Sequence, residues 1–137
     1  MIALIKGAVL LISCLILTAC ATNMGLRDEF DKSVKAYNRM LRWQELENAG
    51  MAYVEKEHRD VYLKRAEALK KRGVTLTDFR ILASECLPEK KTGEVIAEFD
   101  YFILPSNRIK TATDHQEWVY QDLIDSWKLK SNLPSFE

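Results

Sequence analysis

The chain has 137 residues and carries 20 Lys and Arg against 20 Asp and Glu, so its formal net charge is zero. That balance excludes nucleic-acid binding by counterion release, which needs a basic excess, and the length suits one hydrophobic core. The sequence holds no acidic tail, internal repeat or low-complexity tract.

The first segment in chain order does not belong to that core. Met1 to Lys6 form a short region with one positive charge, and Gly7 to Leu17 form an apolar run interrupted by Ser13. This is the layout of an export signal. A membrane span is the rival reading; it needs about 20 apolar residues, and the run after Lys6 falls short. Small residues then lead to Leu17-Thr18-Ala19-Cys20, which resembles a bacterial lipobox. The resemblance implies a diacylglycerol on the Cys20 sulfur, cleavage between Ala19 and Cys20, and acylation of the new amino terminus. Ala21, rather than Asp, follows the cysteine, which by the same resemblance implies the outer membrane, facing the periplasm. Two or more acyl chains anchor stably where one does not.

The expected division is therefore a signal peptide over 1–19, a lipidated cysteine and tether over 20–25, and one domain over 26–137. The tether is short: Ala21 to Gly25 reach about 17 Å when extended, which holds the domain against the bilayer. Arg27, Lys32 and Lys35 alternate with Asp28, Glu29 and Asp31, the pattern of a solvated helix start rather than a lipid-binding patch. Of Cys14, Cys20 and Cys86, only Cys86 stays free in the processed chain, so no intrachain disulfide is expected there. Cys86 reads as a small buried hydrophobe.

Leu26, Phe30, Val34, Tyr37 and Leu41 recur at helical spacing. They predict a first helix running to about Asn48 and stopping at Asn48-Ala49-Gly50. Trp43 lies off that stripe. Lys56 to Arg72 predict a second helix, with Gly73 just past its end; a short further helix near Met51 to Val54 would be hidden between the two. From Val74 the period becomes two. Val74 to Leu87 place Phe79, Ile81 and Ala83 on one parity, and Pro88 to Gly93 read as a turn. Val95, Ala97, Phe99, Tyr101 and Ile103 then alternate with mostly polar neighbours, the clearest strand in the chain. After Pro105-Ser106-Asn107, a long strand of mixed parity covers Arg108 to Tyr120, and a last one covers Ser126 to Lys130 with Trp127 and Leu129 on one face. The prediction is α+β: a long N-terminal helix and a second helix packed on a curved antiparallel sheet of three to four strands.

That order resembles the nuclear-transport-factor-2-like, or cystatin-like, architecture. The stretches LRWQELENAGMAYV, VTLTDFRILASECL, DYF, DHQEWVYQD, DSWKL and NLPSF are similar to a group of small uncharacterised bacterial lipoproteins. The resemblance implies a cone-shaped pocket between helix and sheet, where ketosteroid-isomerase-like members place an Asp base and a proton-donating partner. Asp78, Asp100, Asp114, Tyr101 and Tyr120 are the candidates for such roles. Asp100 faces solvent if Phe99 and Tyr101 face the core. Asp114 shares parity with Gln116, Trp118 and Tyr120, a set that faces either the pocket or the outer sheet. Neither reading supplies a complete catalytic constellation.

Metal binding is not expected: His58 and His115 lie on different elements, and no short ligand spacing is present. There is no Gly-rich phosphate loop and no Gly-x-Ser-x-Gly elbow. Trp118, Tyr120, Trp127 and Phe136 form an aromatic group. Trp118 and Trp127 either pair across adjacent strands, or Trp118, Tyr120 and Trp127 form an exposed interaction face for another protein. The expectation is a lipid-anchored, non-catalytic binding or accessory module of a cell-envelope assembly. Its partners would be membrane lipid through Cys20 and another envelope protein, and it would carry no cofactor beyond the covalent lipid. The alternative is a small apolar-ligand-binding or isomerase-like pocket enzyme.

Overall fold

In the computed structural model of the full chain, residues 2–137 are described, with side chains described at residue 5 and over 22–137. Apart from residue 5, the side chains of the segment expected to be an export signal, including Ala19 and Cys20, lie outside the described residues. Three helices pack on a four-stranded antiparallel sheet, an α+β fold. The helices are α1 (Ile2–Arg42), α2 (Leu46–Tyr53) and α3 (Lys56–Lys71); the strands are β1 (Val74–Leu87), β2 (Thr92–Ile103), β3 (Lys110–Gln121) and β4 (Ser126–Leu129). The strands lie in the sheet in chain order, each joined to its neighbour without a crossover. Among the described residues, no helix is long and apolar enough to cross a membrane.

The apolar stripe of α1 is the predicted one. Phe30, Val34, Tyr37 and Leu41 are buried, and Leu26 packs against the same core. The helix is continuous through residues 20–25, where the sequence suggested a separate tether. Its C-terminal end differs from the prediction too. Glu45 N–H bonds to the Met40 carbonyl and Gln44 N–H to the Leu41 carbonyl, with Gln44 in the left-handed region at φ 64°. This is a Schellman stop made by a glutamine, and a tertiary bond accounts for it. The Gln44 side-chain amide donates to the Leu76 carbonyl at 2.6 Å and accepts from the Leu76 N–H at 3.0 Å. It thereby satisfies the open backbone of edge strand β1. The predicted stop at Asn48-Ala49-Gly50 instead falls inside α2, the short extra helix expected near Met51.

The opposite sheet edge, β4, is covered in a related way. Val54 bridges Leu129, and Glu55 N–H donates to the Leu129 carbonyl. At the end of α3, Gly73 takes φ 77°, the C′ position its sequence predicted.

On β2 the inward parity holds: Val95, Ala97, Phe99 and Tyr101 are buried. On β1 it does not, because register shifts interrupt the strand between Leu76 and Asp78 and between Ile81 and Ala83. Each extra residue turns the following side chains to the other face. Leu76, Phe79, Ile81 and Cys86 therefore meet the core, while Leu82 and Ala83 are exposed. On β3 the inward residues are Ala112, Asp114, Gln116 and Trp118, so the polar parity faces the helices. Residues after β4 run back over the core. Leu133 and Phe136 are buried, with the Phe136 ring 4.9 Å from that of Tyr101. Arg65 of α3 and Arg72, which caps that helix, donate to the Pro134 and Phe136 carbonyls, and the Tyr101 hydroxyl bonds to the Glu137 backbone.

The aromatic pairing expected between Trp118 and Trp127 is replaced by another arrangement. Trp118 faces Leu129, and Trp127 faces Tyr120. The Phe30 ring stands against both indoles, its centroid 6.3 Å from Trp118 and 4.9 Å from Trp127. It also lies close against Gly93, where an added Cβ would stand 2.6 Å from Phe30 Cζ and nearer still to Cε2. Only glycine leaves room for the ring.

Candidate functional site

Two features could carry function: a buried polar cluster under the helices and an open recess at one end of the domain. The cluster begins with Asn38, which α1 turns inward beside Tyr37. The Asn38 and Gln116 amides exchange hydrogen bonds, Gln116 Nε2 to Asn38 Oδ1 at 2.7 Å and Asn38 Nδ2 to Gln116 Oε1 at 3.3 Å. Gln116 Nε2 also donates to Asp114 Oδ2 at 2.9 Å, and Trp118 Nε1 donates to Gln116 Oε1. Beside them the Tyr37 and Tyr62 hydroxyls are 2.9 Å apart. Buried polar groups of this kind are held by being paired.

Asp114 is 3 % exposed. Burial raises its carboxyl pKa to about 6, against the weaker opposing pull of the Gln116 hydrogen bond and the charges of His115 and Arg65. Burial likewise raises the Tyr37 and Tyr62 hydroxyls above their usual range. A carboxyl titrating near neutrality suits proton transfer, but Asp114 is shut off from solvent in the core.

The other acidic candidates are elsewhere. Asp78 is exposed. Asp100 lies on the outer sheet face, where the Arg80 guanidinium bonds both Asp100 oxygens and Glu98 and holds the Asp100 carboxyl below its usual range. Tyr101 faces inward but bonds the C-terminal backbone. Burial raises the Cys86 thiol, which disfavours a reactive thiolate. Trp118 and Trp127 are each 1 % exposed, so the exposed interaction face expected from Trp118, Tyr120 and Trp127 is corrected to a packed core layer, with Tyr120 at its margin. Large flat rings gain more from burial than the strand pattern alone reveals.

One cluster is not announced by the histidine spacing, because two of its three members are carboxylates: Glu55, Glu57 and His58 bring ligand atoms within 4.8 Å of one another. It is mostly exposed, and Glu55 already pairs with His58 and accepts from Gln121. His115 is exposed on the outer face of β3.

The recess has a volume of about 410 Å³ and lies where the α1–α2 turn, α2, α3 and the start of β1 meet. Leu46, Ala66, Val74 and Leu104 give it apolar walls, with Glu45, Glu47 and Lys70 among the polar ones. Its size is within the range of binding pockets. A second recess of about 280 Å³ lies beside Trp118 and Lys130, and a third of about 600 Å³ lies between α2 and α3. Asp114, Tyr37 and Tyr62 line none of these three. Trp43, Leu104 and Ile109 are exposed at the same end of the domain as the first recess.

No protein-family model matches the chain, and neither does any curated protein sequence. Among solved structures, the intermembrane-space region of the chloroplast protein ARC6 is similar over 77 % of this chain and 97 % of its own, with a TM-score of 0.50 and 13 % identity. At that identity the likeness is one of fold alone.

Proposed function

We propose that this chain is a lipoprotein, anchored through Cys20 at the outer membrane on its periplasmic side, as the sequence pattern implies, whose folded part is a non-catalytic binding module of an envelope assembly. The observation that carries this reading is the polarity of the domain along α1. The chain enters at Leu26, next to the lipobox, and the recess opens beyond Arg42 at the other end. Sixteen residues of helix separate those points by about 24 Å. An anchored domain of this shape presents its open recess away from the lipid. Its exposed apolar surround, Trp43, Leu104 and Ile109, suits an apolar side chain of a protein partner, since such residues concentrate at interface centres. The fold shared with a region lying between two membranes is compatible with that setting.

Two measurements test the reading. Palmitate labelling in a bacterial host is expected on the parent chain and lost with Cys20→Ser; labelling that persists refutes acylation at this residue. A photo-crosslinking residue at Leu104 is expected to give a discrete protein adduct in the envelope, weakened by Thr75→Arg in the recess wall. The same probe at Thr113, on the outer sheet face, is expected to give none. Equal adducts from both positions would reject the recess as the contact.

The alternative, an isomerase-like or small apolar-ligand pocket, draws on the raised Asp114 carboxyl beside Tyr37 and Tyr62. It requires the core around Asp114 to open to solvent. Turnover of a ketosteroid substrate that disappears with Asp114→Asn would favour it over the binding module.

A further inference from the structure

We infer that the turn between β3 and β4 is a second membrane contact: Leu123 and Ile124 dip into the apolar margin of the bilayer beside the lipid anchor. The inference rests on the lipid-anchored reading and adds to it an orientation. Three parts of the chain form one end of the domain. The first is the start of the core-forming stretch of α1, where the Leu26 carbonyl accepts from Trp127 Nε1 at 3.0 Å. The second is the β1–β2 turn, where the Lys91 carbonyl accepts from Tyr120 N–H at 2.9 Å. The third is the single 3₁₀ turn Asp122–Ile124, tied to that hairpin by a Lys91–Asp122 ion pair at 2.5 Å.

At the tip of this end, Leu123 is 101 % exposed and Ile124 54 %. The turn closes on Asp125, at φ 46°, whose N–H reaches the Asp122 carbonyl. Single exposed apolar residues are ordinary on protein surfaces. Two adjacent ones at a loop tip, with nothing covering the first, are different when a lipid surface lies close by. Leu26 lies six positions after Cys20, a span of about 20 Å at full extension and about 9 Å as helix. An acylated Cys20 therefore brings this end of the domain to the headgroup layer, where apolar side chains enter about 5–10 Å.

The charges nearby decide the kind of contact. Lys91 is paired with Asp122, Glu89 adjoins Lys90 in the chain, and Asp122 and Asp125 flank the apolar pair. The tip has no cationic excess to attract anionic lipid, so its partition is apolar and independent of lipid charge. The opposite end, with Trp43, stays in water.

The test uses the full chain carrying Leu123→Trp, produced in a lipoprotein-processing bacterium and reconstituted into phosphatidylcholine vesicles with or without chain-brominated phosphatidylcholine. The substituted position is fully exposed, so the core is untouched. Trp118 and Trp127 are buried and Trp43 is remote, which keeps the parent signal insensitive to bromine. The expected result is a blue shift of the new indole and a loss of its emission in brominated vesicles, unchanged when phosphatidylglycerol is added. Intact mass and flotation are read on the same sample. Acylated, floating protein whose new indole is unquenched overturns the inserted tip and leaves the anchor standing. Quenching that appears only with phosphatidylglycerol, or that is equally strong in the parent chain, also overturns it. A chain that neither carries acyl mass nor floats removes the anchored reading and this inference together.

Discussion

Phe30→Ala is expected to destabilise the domain by about 3–5 kcal/mol, the usual loss for deleting a fully buried aromatic ring. The residue is inaccessible to solvent. It is the contact through which α1 meets two strands at once, edge-on to Trp118 and Trp127, and its removal leaves a cavity among large rigid rings that cannot close over it. The complementary change acts on the same contact from below. Gly93→Ala places a methyl where the ring lies, an overpacking expected to cost about 1–3 kcal/mol. Pairing Gly93→Ala with Phe30→Leu should recover part of that loss, because a smaller, branched side chain vacates the space. The two changes are then non-additive, as contacting residues are. Urea titration followed by tryptophan emission checks all of these. A harmless Gly93→Ala, or strict additivity of the pair, would show that ring and glycine do not meet as described.

The second large effect is electrostatic and has a definite direction with pH. The Asp114 carboxyl has a pKa of about 6 in the folded protein and about 3.9 when unfolded. The folded state thus holds the proton more tightly. Its contribution to stability is complete below the unfolded value, and declines as pH rises from about 4 to about 6. Above that window the buried charge costs about 3 kcal/mol. Asp114→Asn keeps an oxygen to accept the Gln116 bond and removes the charge. The variant is expected to match the parent near pH 4, to exceed it by up to about 3 kcal/mol at pH 7.5, and to flatten the profile between. Thermal melts across that range are the measurement. A parent protein that gains stability between pH 4 and 6, or an Asn variant weaker at pH 7.5, would contradict the burial of an uncompensated carboxyl.

The same residue bears on the functional alternatives. A penalty at neutral pH is tolerated in proteins where a group is used, and it also arises where a polar network fixes how a core packs. The Asn38–Gln116–Asp114 chain joins α1 to β3 across the layer. If Asp114→Asn yields a more stable protein that still crosslinks its partner through Leu104, the cluster serves packing alone. If stability rises and a turnover is lost, the covered carboxyl is the working group.

The sequence by itself determined the elements whose apolar residues repeat with one unbroken period. The α1 stripe from Leu26 to Leu41, α3, the alternation of β2 and the inward face of β4 were all legible, because each buries one continuous face and the chain's own geometry repeats with it. It also presents Leu17-Thr18-Ala19-Cys20, a stretch that resembles a lipobox. Tertiary structure alone decided the rest. The end of α1 depends on a Gln44 amide finding the Leu76 backbone 32 positions away, a partner no local pattern announces. The parity of β1 depends on two bulges, and that of β3 on Asn38 supplying a partner that lets Asp114 and Gln116 turn inward. Trp118 and Trp127 became core residues because Phe30 arrives from another element to cover both. In each case the deciding energy lies in a contact between segments distant in the chain, and a one-dimensional pattern records only the faces, not what will meet them.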